Sequence, residues 1–222
     1  MMKEIKEIYV SNKTMFEKRL SSFKRVWTQG SDLKIFEELC YCLCTSREKA
    51  KNALNAISAL TISALTKNNY FFLINADYDT IDKVLCENGI ALHPDKAKRI
   101  IRNRDIFYPN TKNILQSKYC FGDIKKVREE LVRDVVGFGF KEASHFLRNI
   151  GFGGNLAIID RHIKNQLIKY GVIADDVSSA SITKKRYYEI EEKMIQFAHK
   201  IKIPVDILDM LLIYAENKEI MK

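Results

Sequence analysis

Lys141 and Asp160 are the residues whose types and positions most directly suggest chemistry. Lys141 directly follows the turn GFGF (137–140), and Asp160 follows a second glycine cluster and the apolar triplet Ala157-Ile158-Ile159. In the first turn of a helix the dipole opposes a positive charge, and this favours the neutral, nucleophilic form of a lysine amine. A carboxylate such as Asp160 can stabilise a cationic intermediate. The alternatives are a charged lysine that binds a phosphate and an aspartate that caps a helix.

The glycines beside Lys141 predict a tight turn between two helices. Gly137 and Gly139 allow a positive φ and a close approach of another backbone, because they carry no Cβ. Amide groups at such a turn and at the following helix N-terminus can bind an anion, and a DNA phosphate is a suitable one. A turn that only packs two helices is the alternative. His162, two residues after Asp160, is a candidate for a phosphate contact or a core position.

The charge of the chain favours a polyanionic partner. Its 222 residues include 37 Lys and Arg against 28 Asp and Glu, which gives a net charge of +9. Nucleic acid or an anionic membrane surface would suit this excess. No apolar run approaches the roughly 20 residues of a membrane span. The N-terminal stretch is charged throughout and lacks the apolar core of a signal peptide, so we expect an intracellular protein of the cytoplasm or nucleoid.

The five cysteines predict no metal site. Three of them, Cys40, Cys42 and Cys44, alternate along an apolar run, and their spacing lacks the second pair of ligands that a zinc site needs. We expect reduced thiols that pack in the core. No cysteine follows position 120, which excludes a C-terminal iron–sulfur cluster.

Apolar spacing predicts an all-α protein. A buried stripe from Leu33 to Leu43 should follow the cap candidates Ser31 and Asp32, and FFLIN (71–75) is read as buried helix or loop. Asp123 should cap another helix, and glycines at 89, 151 and 171 should end three. With these helices included, helices are expected after the stripe over residues 47–65, 78–89, 93–107, 122–135, 141–150, 156–170, 184–201 and 204–219.

Together these motifs resemble the helix–hairpin–helix DNA glycosylase superfamily. The run GFGFKEASHFLRNIGF with AIIDRHI, within 135–163, is similar to the short prokaryotic 8-oxoguanine DNA glycosylase/lyases. The resemblance implies a two-lobed all-α fold with the active site in the cleft between the lobes. It implies one lobe from 31–152 and another from 1–30 plus 153–222. The implied partner is double-stranded DNA with an oxidised purine, bound by a monomer.

The resemblance also implies a mechanism and further site residues. Lys141 would attack the sugar C1′ and form a Schiff base, Asp160 would stabilise the charge on the sugar, and β-elimination would nick the strand. Neither a metal nor an organic cofactor is needed. Ser46 and Arg47 match the segment that fills the gap left by the extruded base; the alternative is that Arg47 begins a helix and contacts solvent or phosphate. LHPDKAKRI (92–100) matches a phosphate-facing basic segment.

Base recognition is implied at the C-terminus. Lys222 matches a terminal lysine implicated in lesion recognition, and Asp209, or second to it Asp206, matches an acid that contacts the flipped purine. Ile213 followed by Tyr214 stands where the family has an aromatic residue, so the stacking partner of the base is not assigned. A glycosylase for another oxidised or alkylated base, and a non-catalytic helix–hairpin–helix DNA-binding module, are the alternative functions.

Overall fold

The computed structural model describes residues 2–61, 72–174 and 182–218, and these residues form twelve helices and no strand. This agrees with the all-α prediction. The helices are α1 Met2–Gln29, α2 Asp32–Cys44, α3 Ala50–Thr61, α4 Phe72–Asn75, α5 Tyr78–Glu87, α6 His93–Phe107, α7 Thr111–Lys118, α8 Ile124–Asp134, α9 Phe140–Asn149, α10 Arg161–Lys169, α11 Lys184–Ile201 and α12 Val205–Asn217. In the described ranges no helix is long and apolar enough to cross a membrane.

The chain divides into two compact units. The central unit is Val26–Phe146, and the terminal unit combines Met1–Arg25 with Leu147–Lys222. The expected lobe boundaries at residues 30 and 152 lie slightly later in the chain than these.

In the central unit α2 is the core helix. Nine of its thirteen residues are buried, and it packs against α3, α6 and α7. Ser31 caps it as predicted, since its side chain accepts a hydrogen bond from the amide of Lys34. The cysteines Cys40, Cys42 and Cys44 are all buried in this core, which confirms their packing role.

In the terminal unit α12 packs against α10 and α11. Its apolar residues are buried almost throughout, from Val205 to Leu212. Phe16 of α1 meets Tyr214 edge to face, with ring centroids 5.8 Å apart. Tyr214 is therefore a packing residue within this unit, and its hydroxyl lies 3.4 Å from Oδ1 of Asn12.

Most predicted helix ends agree with the structure. Asp123 caps α8, and Gly89, Gly151 and Gly171 adopt positive φ after α5, α9 and α10. FFLIN contributes a short helix, α4, from its second residue onward. Helix α3 begins at Ala50 and not at position 47, because the chain makes a turn with Arg47 at φ 57°. The predicted residues 62–65, Phe71 and 219 lie outside the described residues.

The prediction of a helix from 156 is wrong. Residues 156–159 are buried but not helical, and α10 begins only at Arg161. In this segment the backbone forms hydrogen bonds with side chains of α11 and not with a helical neighbour. The amide of Ala157 donates to Oε1 of Glu191 at 2.9 Å, and the hydroxyl of Tyr187 donates to the carbonyl of Ala157 at 2.7 Å. The backbone polar groups are thus satisfied without a helix.

Candidate active site

The hairpin between α8 and α9 needs glycine at position 137. Gly137 has φ 95°, and a Cβ there would lie 2.5 Å from Cδ of Arg99 and 3.2 Å from Cδ2 of Leu43. Buried Asn103 also holds the hairpin backbone. Its Oδ1 accepts from the amide of Val136 at 3.0 Å, and its Nδ2 donates to the carbonyl of the same residue at 2.9 Å. The hairpin is therefore fixed against α6.

The amide of Gly139 is engaged within the hairpin. It donates to Oε2 of Glu142 at 3.2 Å, the reciprocal half of a helix-capping arrangement. A phosphate would have to displace this carboxylate in order to bind the amide. The phosphate-binding roles of Gly137 and Gly139 stay predictions, and at Gly139 the binding carries this condition.

Lys141 lies in the first turn of α9, as predicted. Its side chain is mostly buried, with 19% exposed, and Nζ donates to Oγ1 of Thr45 at 2.9 Å. Oε1 of Glu142 is farther away, at 3.9 Å. Thr45 is the residue that follows α2, so the amine is held against the C-terminal end of the core helix.

The turn after Thr45 carries the two residues that are predicted to fill the gap left by the extruded base. Ser46 is part-exposed, and Arg47 is exposed with a left-handed backbone, a conformation that costs a non-glycine residue about 1–2 kcal/mol. The buried side chain of Lys96 holds the backbone of this turn. Its Nζ donates to the carbonyls of Cys44 and Ser46 at 3.0 and 2.8 Å.

Lys96 corrects one expectation. It belongs to LHPDKAKRI, the segment expected to face phosphate, yet it is 2% exposed and turned into the protein. Burial is the main reason that its pKa lies below the ordinary value of a lysine. Lys98 is the residue of this segment whose cationic side chain is exposed.

In the terminal unit Asp160 caps α10. Its Oδ1 accepts from the amide of Ile163 at 2.9 Å, and the side chain is part-exposed. A carboxylate that caps a helix can also stabilise a nearby positive charge, so this hydrogen bond is compatible with both predicted roles. His162 is half-exposed, and its Nδ1 lies 3.3 Å from Oε2 of Glu216. A phosphate contact by His162 would bring that phosphate close to an acidic side chain.

The acids of α12 differ in their surroundings. Asp209 is 2% exposed, and its Oδ2 accepts from Nη1 of Arg148 at 2.6 Å. Burial raises its pKa, while Arg148 acts in the opposite direction. Asp206 is part-exposed, and burial is also the main cause of its raised pKa. Lys222 lies outside the described residues.

A metal site is not formed by the residues that the structure describes: no group of three or more His, Cys, Asp or Glu side chains could hold an ion. The arrangement in hand is a partly buried amine at a helix N-terminus and a separate aspartate that caps a helix. Such groups suit nucleophilic attack and charge stabilisation.

Comparison with known protein families shows to which family the chain belongs. The family model for 8-oxoguanine DNA glycosylase matches residues 16–203 of this chain. The chain belongs to the 8-oxoguanine DNA glycosylase family.

Relatives in this family match over almost the whole chain. An 8-oxoguanine DNA glycosylase/AP lyase of Fusobacterium nucleatum is 36% identical over 99% of this chain and 96% of the relative. One of Korarchaeum cryptofilum is 33% identical over 94% of this chain and 90% of the relative.

Two solved members of the family have the same fold. The Methanocaldococcus jannaschii 8-oxoguanine glycosylase/lyase, in complex with a 15mer DNA containing 8-oxoguanine, superposes with a TM-score of 0.85 at 28% identity, over 100% of this chain and 99% of that one. The 8-oxoguanine DNA glycosylase of Thermotoga maritima gives a TM-score of 0.84 at 28% identity, over 100% and 98%. The predicted helix–hairpin–helix glycosylase fold is confirmed.

Several contacts of this 8-oxoguanine DNA glycosylase family member were not predicted from sequence. Thr45, Lys96, Asn103 and Arg148 contact the predicted site residues or the backbone that carries them. Lys96 and Arg148 lie within the runs LHPDKAKRI and GFGFKEASHFLRNIGF, but nothing in these runs indicates the contacts that the two side chains make. Only Glu142, three residues after Gly139, had a sequence signal, because glutamate at that spacing is typical of a capping box.

Proposed function

We propose that this protein is a bifunctional DNA repair enzyme that excises 8-oxoguanine from duplex DNA and then cleaves the strand as an AP lyase. The observation that carries the proposal is Lys141: a partly buried amine, directly after the glycine hairpin, held by one hydrogen bond at a helix N-terminus. Whole-length relatives bear the name 8-oxoguanine DNA glycosylase/AP lyase. A solved neighbour was crystallised with 8-oxoguanine DNA.

In the proposed reaction the lone pair of the Lys141 amine forms a bond to C1′ of the damaged nucleotide. The glycosidic bond breaks, and its electron pair leaves with the base, which then takes a proton from solvent. The Asp160 carboxylate stabilises the positive charge that develops on the sugar. Loss of a proton and opening of the sugar ring give a Schiff base between Lys141 and C1′. This imine acidifies the C2′ hydrogen, and β-elimination expels the 3′ phosphate.

The DNA must deform for this to happen, since the glycosidic bond is hidden within a duplex. We propose that Arg47, with Ser46, fills the space left by the extruded nucleotide. The exposed, left-handed turn that carries Arg47 is fixed by Lys96, so the side chain projects from a rigid support. The net charge of +9 supplies sequence-independent attraction to the phosphates. His162 and the hairpin amides are proposed phosphate contacts.

For base recognition we propose α12, with Lys222 as a further contact. Of its two acids, Asp206 is the more accessible, because Asp209 is buried against Arg148. We therefore propose Asp206 for the direct contact with the base in place of Asp209, which the resemblance favours, and we propose that Asp209 positions Arg148 and the helix. The protein acts as a monomer without a cofactor in this scheme.

The test is borohydride trapping on a duplex that contains 8-oxoguanine. Native protein should give a covalent adduct, and Lys141→Gln should give none. Lys126→Gln is a matched control, because Lys126 is an exposed lysine in the first turn of the preceding helix, α8. It should trap like the native protein. An adduct that survives Lys141→Gln would refute the nucleophile assignment.

Substrate choice is tested by the same assay on duplexes with thymine glycol or an alkylated purine. We expect the strongest trapping on 8-oxoguanine. Faster reaction on either other lesion would replace the proposed substrate. If the native protein binds these duplexes without trapping or cleaving any of them, it is a non-catalytic DNA-binding module.

A further inference from the structure

We propose that Thr45 is a positioning residue that aims the lone pair of the Lys141 amine. The inference rests on the proposed role of Lys141 as nucleophile and adds a residue to that site. The contact that suggests it is the 2.9 Å hydrogen bond from Nζ of Lys141 to Oγ1 of Thr45. These residues are 96 positions apart in the chain, and both belong to the central unit.

The hydroxyl of Thr45 can only accept at this contact. A hydroxyl group has a single hydrogen to donate. In Thr45 that hydrogen goes to the carbonyl of Cys42, with Oγ1 and the carbonyl oxygen 2.9 Å apart. The lone pairs of Oγ1 are left for Lys141. The direction of the bond between the two side chains is therefore fixed, from amine to hydroxyl.

This direction preserves the reactivity of the amine. A neutral amine has two hydrogens and one lone pair, and the lone pair is the nucleophile. A neighbour that donated to the nitrogen would occupy the lone pair. Thr45 instead takes one hydrogen and leaves the lone pair free. With one hydrogen anchored, rotation of the amine about its terminal bond is restricted, so the lone pair keeps a set of defined directions.

Thr45 is itself held in place from several sides. It is 7% exposed, and its amide donates to the carbonyl of Tyr41 at 3.1 Å. The carbonyls on either side of it, those of Cys44 and Ser46, accept from Nζ of buried Lys96. The acceptor is thus part of a rigid framework, unlike the flexible side chain of a surface residue.

The effect of such a framework is on the rate of reaction and not on binding. A displacement of the reacting atoms by about 1 Å can cost on the order of 100-fold in rate. Glu142 does not replace the contact, since its Oε1 lies 3.9 Å from Nζ and its Oε2 accepts from the amide of Gly139. Thr45 is therefore the nearer acceptor for Lys141.

The first experiment compares Thr45→Val, Thr45→Ser and native protein under single turnover on an 8-oxoguanine duplex. Valine keeps the shape and removes the acceptor, while serine restores it. We expect Thr45→Val to lower the maximal rate by about tenfold or more, with an unchanged half-saturating protein concentration. Thr45→Ser should recover most of the rate. Thermal melting of all variants monitors folding.

Thr111→Val is the matched control. Thr111 is a buried threonine at the start of α7, in the same unit, and its hydroxyl has no hydrogen-bond partner among the described residues. This variant should keep the native rate. A native maximal rate in Thr45→Val, or equal loss of rate in the valine and serine variants, would overturn the inference.

A second measurement needs no activity. In free protein with labelled lysines, the side-chain NMR signal of Lys141, identified by its loss in Lys141→Gln, should report restricted motion. Thr45→Val should make it as mobile as an exposed lysine, and Thr45→Ser should not. A mobile Lys141 in the native protein would refute the role of Thr45. If the native protein traps no DNA, the proposed function fails while this measurement still decides the contact.

Discussion

Nη1 of Arg148 lies 2.6 Å from Oδ2 of Asp209, and the two side chains form an ion pair that is buried within the terminal unit. The guanidinium also lies over the ring of Phe23, 5.1 Å from its centroid. A Cβ at Gly153 would come within 2.9 Å of Cγ of Arg148. The pair thus joins the end of α9 to α12 and to α1 of the same unit.

Removal of one partner should leave the other as an uncompensated buried charge. We expect Arg148→Met to lower the free energy of unfolding by about 3–5 kcal/mol, measured by urea denaturation. The double variant Arg148→Met/Asp209→Leu should recover much of this loss, because neither side chain of the pair is then charged. Lys83→Met is the control, since Lys83 forms an exposed pair with Glu87 at 3.9 Å and should matter little. A single variant as stable as native protein would contradict the prediction.

Asp160 offers a way to separate capping from charge. Asparagine caps a helix about as well as aspartate, whereas alanine costs about 1 kcal/mol. We expect Asp160→Asn to melt like native protein and to bind lesion DNA, but to cleave it very slowly. Asp160→Ala should lose stability as well.

A helix cap at another position serves as a control for the effect of capping alone. Thr183 caps α11 through a hydrogen bond from the amide of Arg186. Thr183→Ala should lower stability by a similar amount, about 1 kcal/mol, and keep the cleavage rate. Near-normal turnover by Asp160→Asn would leave Asp160 with the capping role alone.

The two hairpin glycines should respond differently to alanine. Gly137→Ala forces a side chain into a left-handed conformation, at a cost of about 1–2 kcal/mol, and into contact with Arg99. Gly139 does not have a positive φ, and a Cβ there would meet the flexible end of Glu142 at 3.1 Å. Gly139→Ala should therefore cost less free energy of unfolding. Equal losses in urea denaturation would contradict the predicted difference between the two positions.

Asp134, in the last turn of α8, should contribute pH-dependent stability. Its carboxylate accepts from Nε of Arg133 at 2.8 Å and from the hydroxyl of Tyr119 at 3.1 Å, and lies 3.2 Å from Nζ of Lys118. Led by the bond from Arg133, these groups lower its pKa from 3.8 to about 2. Since the folded pKa is depressed, the stabilisation is complete above 3.8 and is lost as the pH falls through about 2.

Thermal melting of Asp134→Asn against native protein should reveal this window. The variant should melt at a lower temperature at neutral pH, and the difference should shrink as the pH falls below 3.8 towards about 2. Asp105→Asn is the control, because the Asp105 side chain is 71% exposed. A difference that grows in acid would contradict the assigned sign.

The sequence predicted the elements whose signals are local. Ser31 and Asp123 cap helices as expected, because a cap depends on residues three positions apart. For residues 156–159 the predicted helix is wrong, since the apolar run fits a helix and a buried extended segment equally well. What decides its structure is Glu191 and Tyr187, which lie about thirty residues later in the chain.

For the candidate site, too, the sequence indicated local features and missed contacts between distant residues. Lys141 and Asp160 were identified because each lies beside a glycine cluster in a recognisable run. The contacts of Thr45 and Lys96 were not predicted, because their partners are 96 and 50 positions away in the sequence and depend on how α2, α6 and α9 pack. Helix α7 was also missed, as its eight residues bury only Thr111 and Leu115.

The buried cysteines of α2 have a consequence for survival under oxidative stress. Burial raises the pKa of the Cys44 thiol to about 12 and that of Cys40 well above its usual range. Peroxides attack thiolates and not thiols, so these sulfurs are poor targets. Cys86 and Cys120, both exposed, should be oxidised first. Peroxide should therefore leave the sulfurs of the helix that leads to Thr45 unmodified.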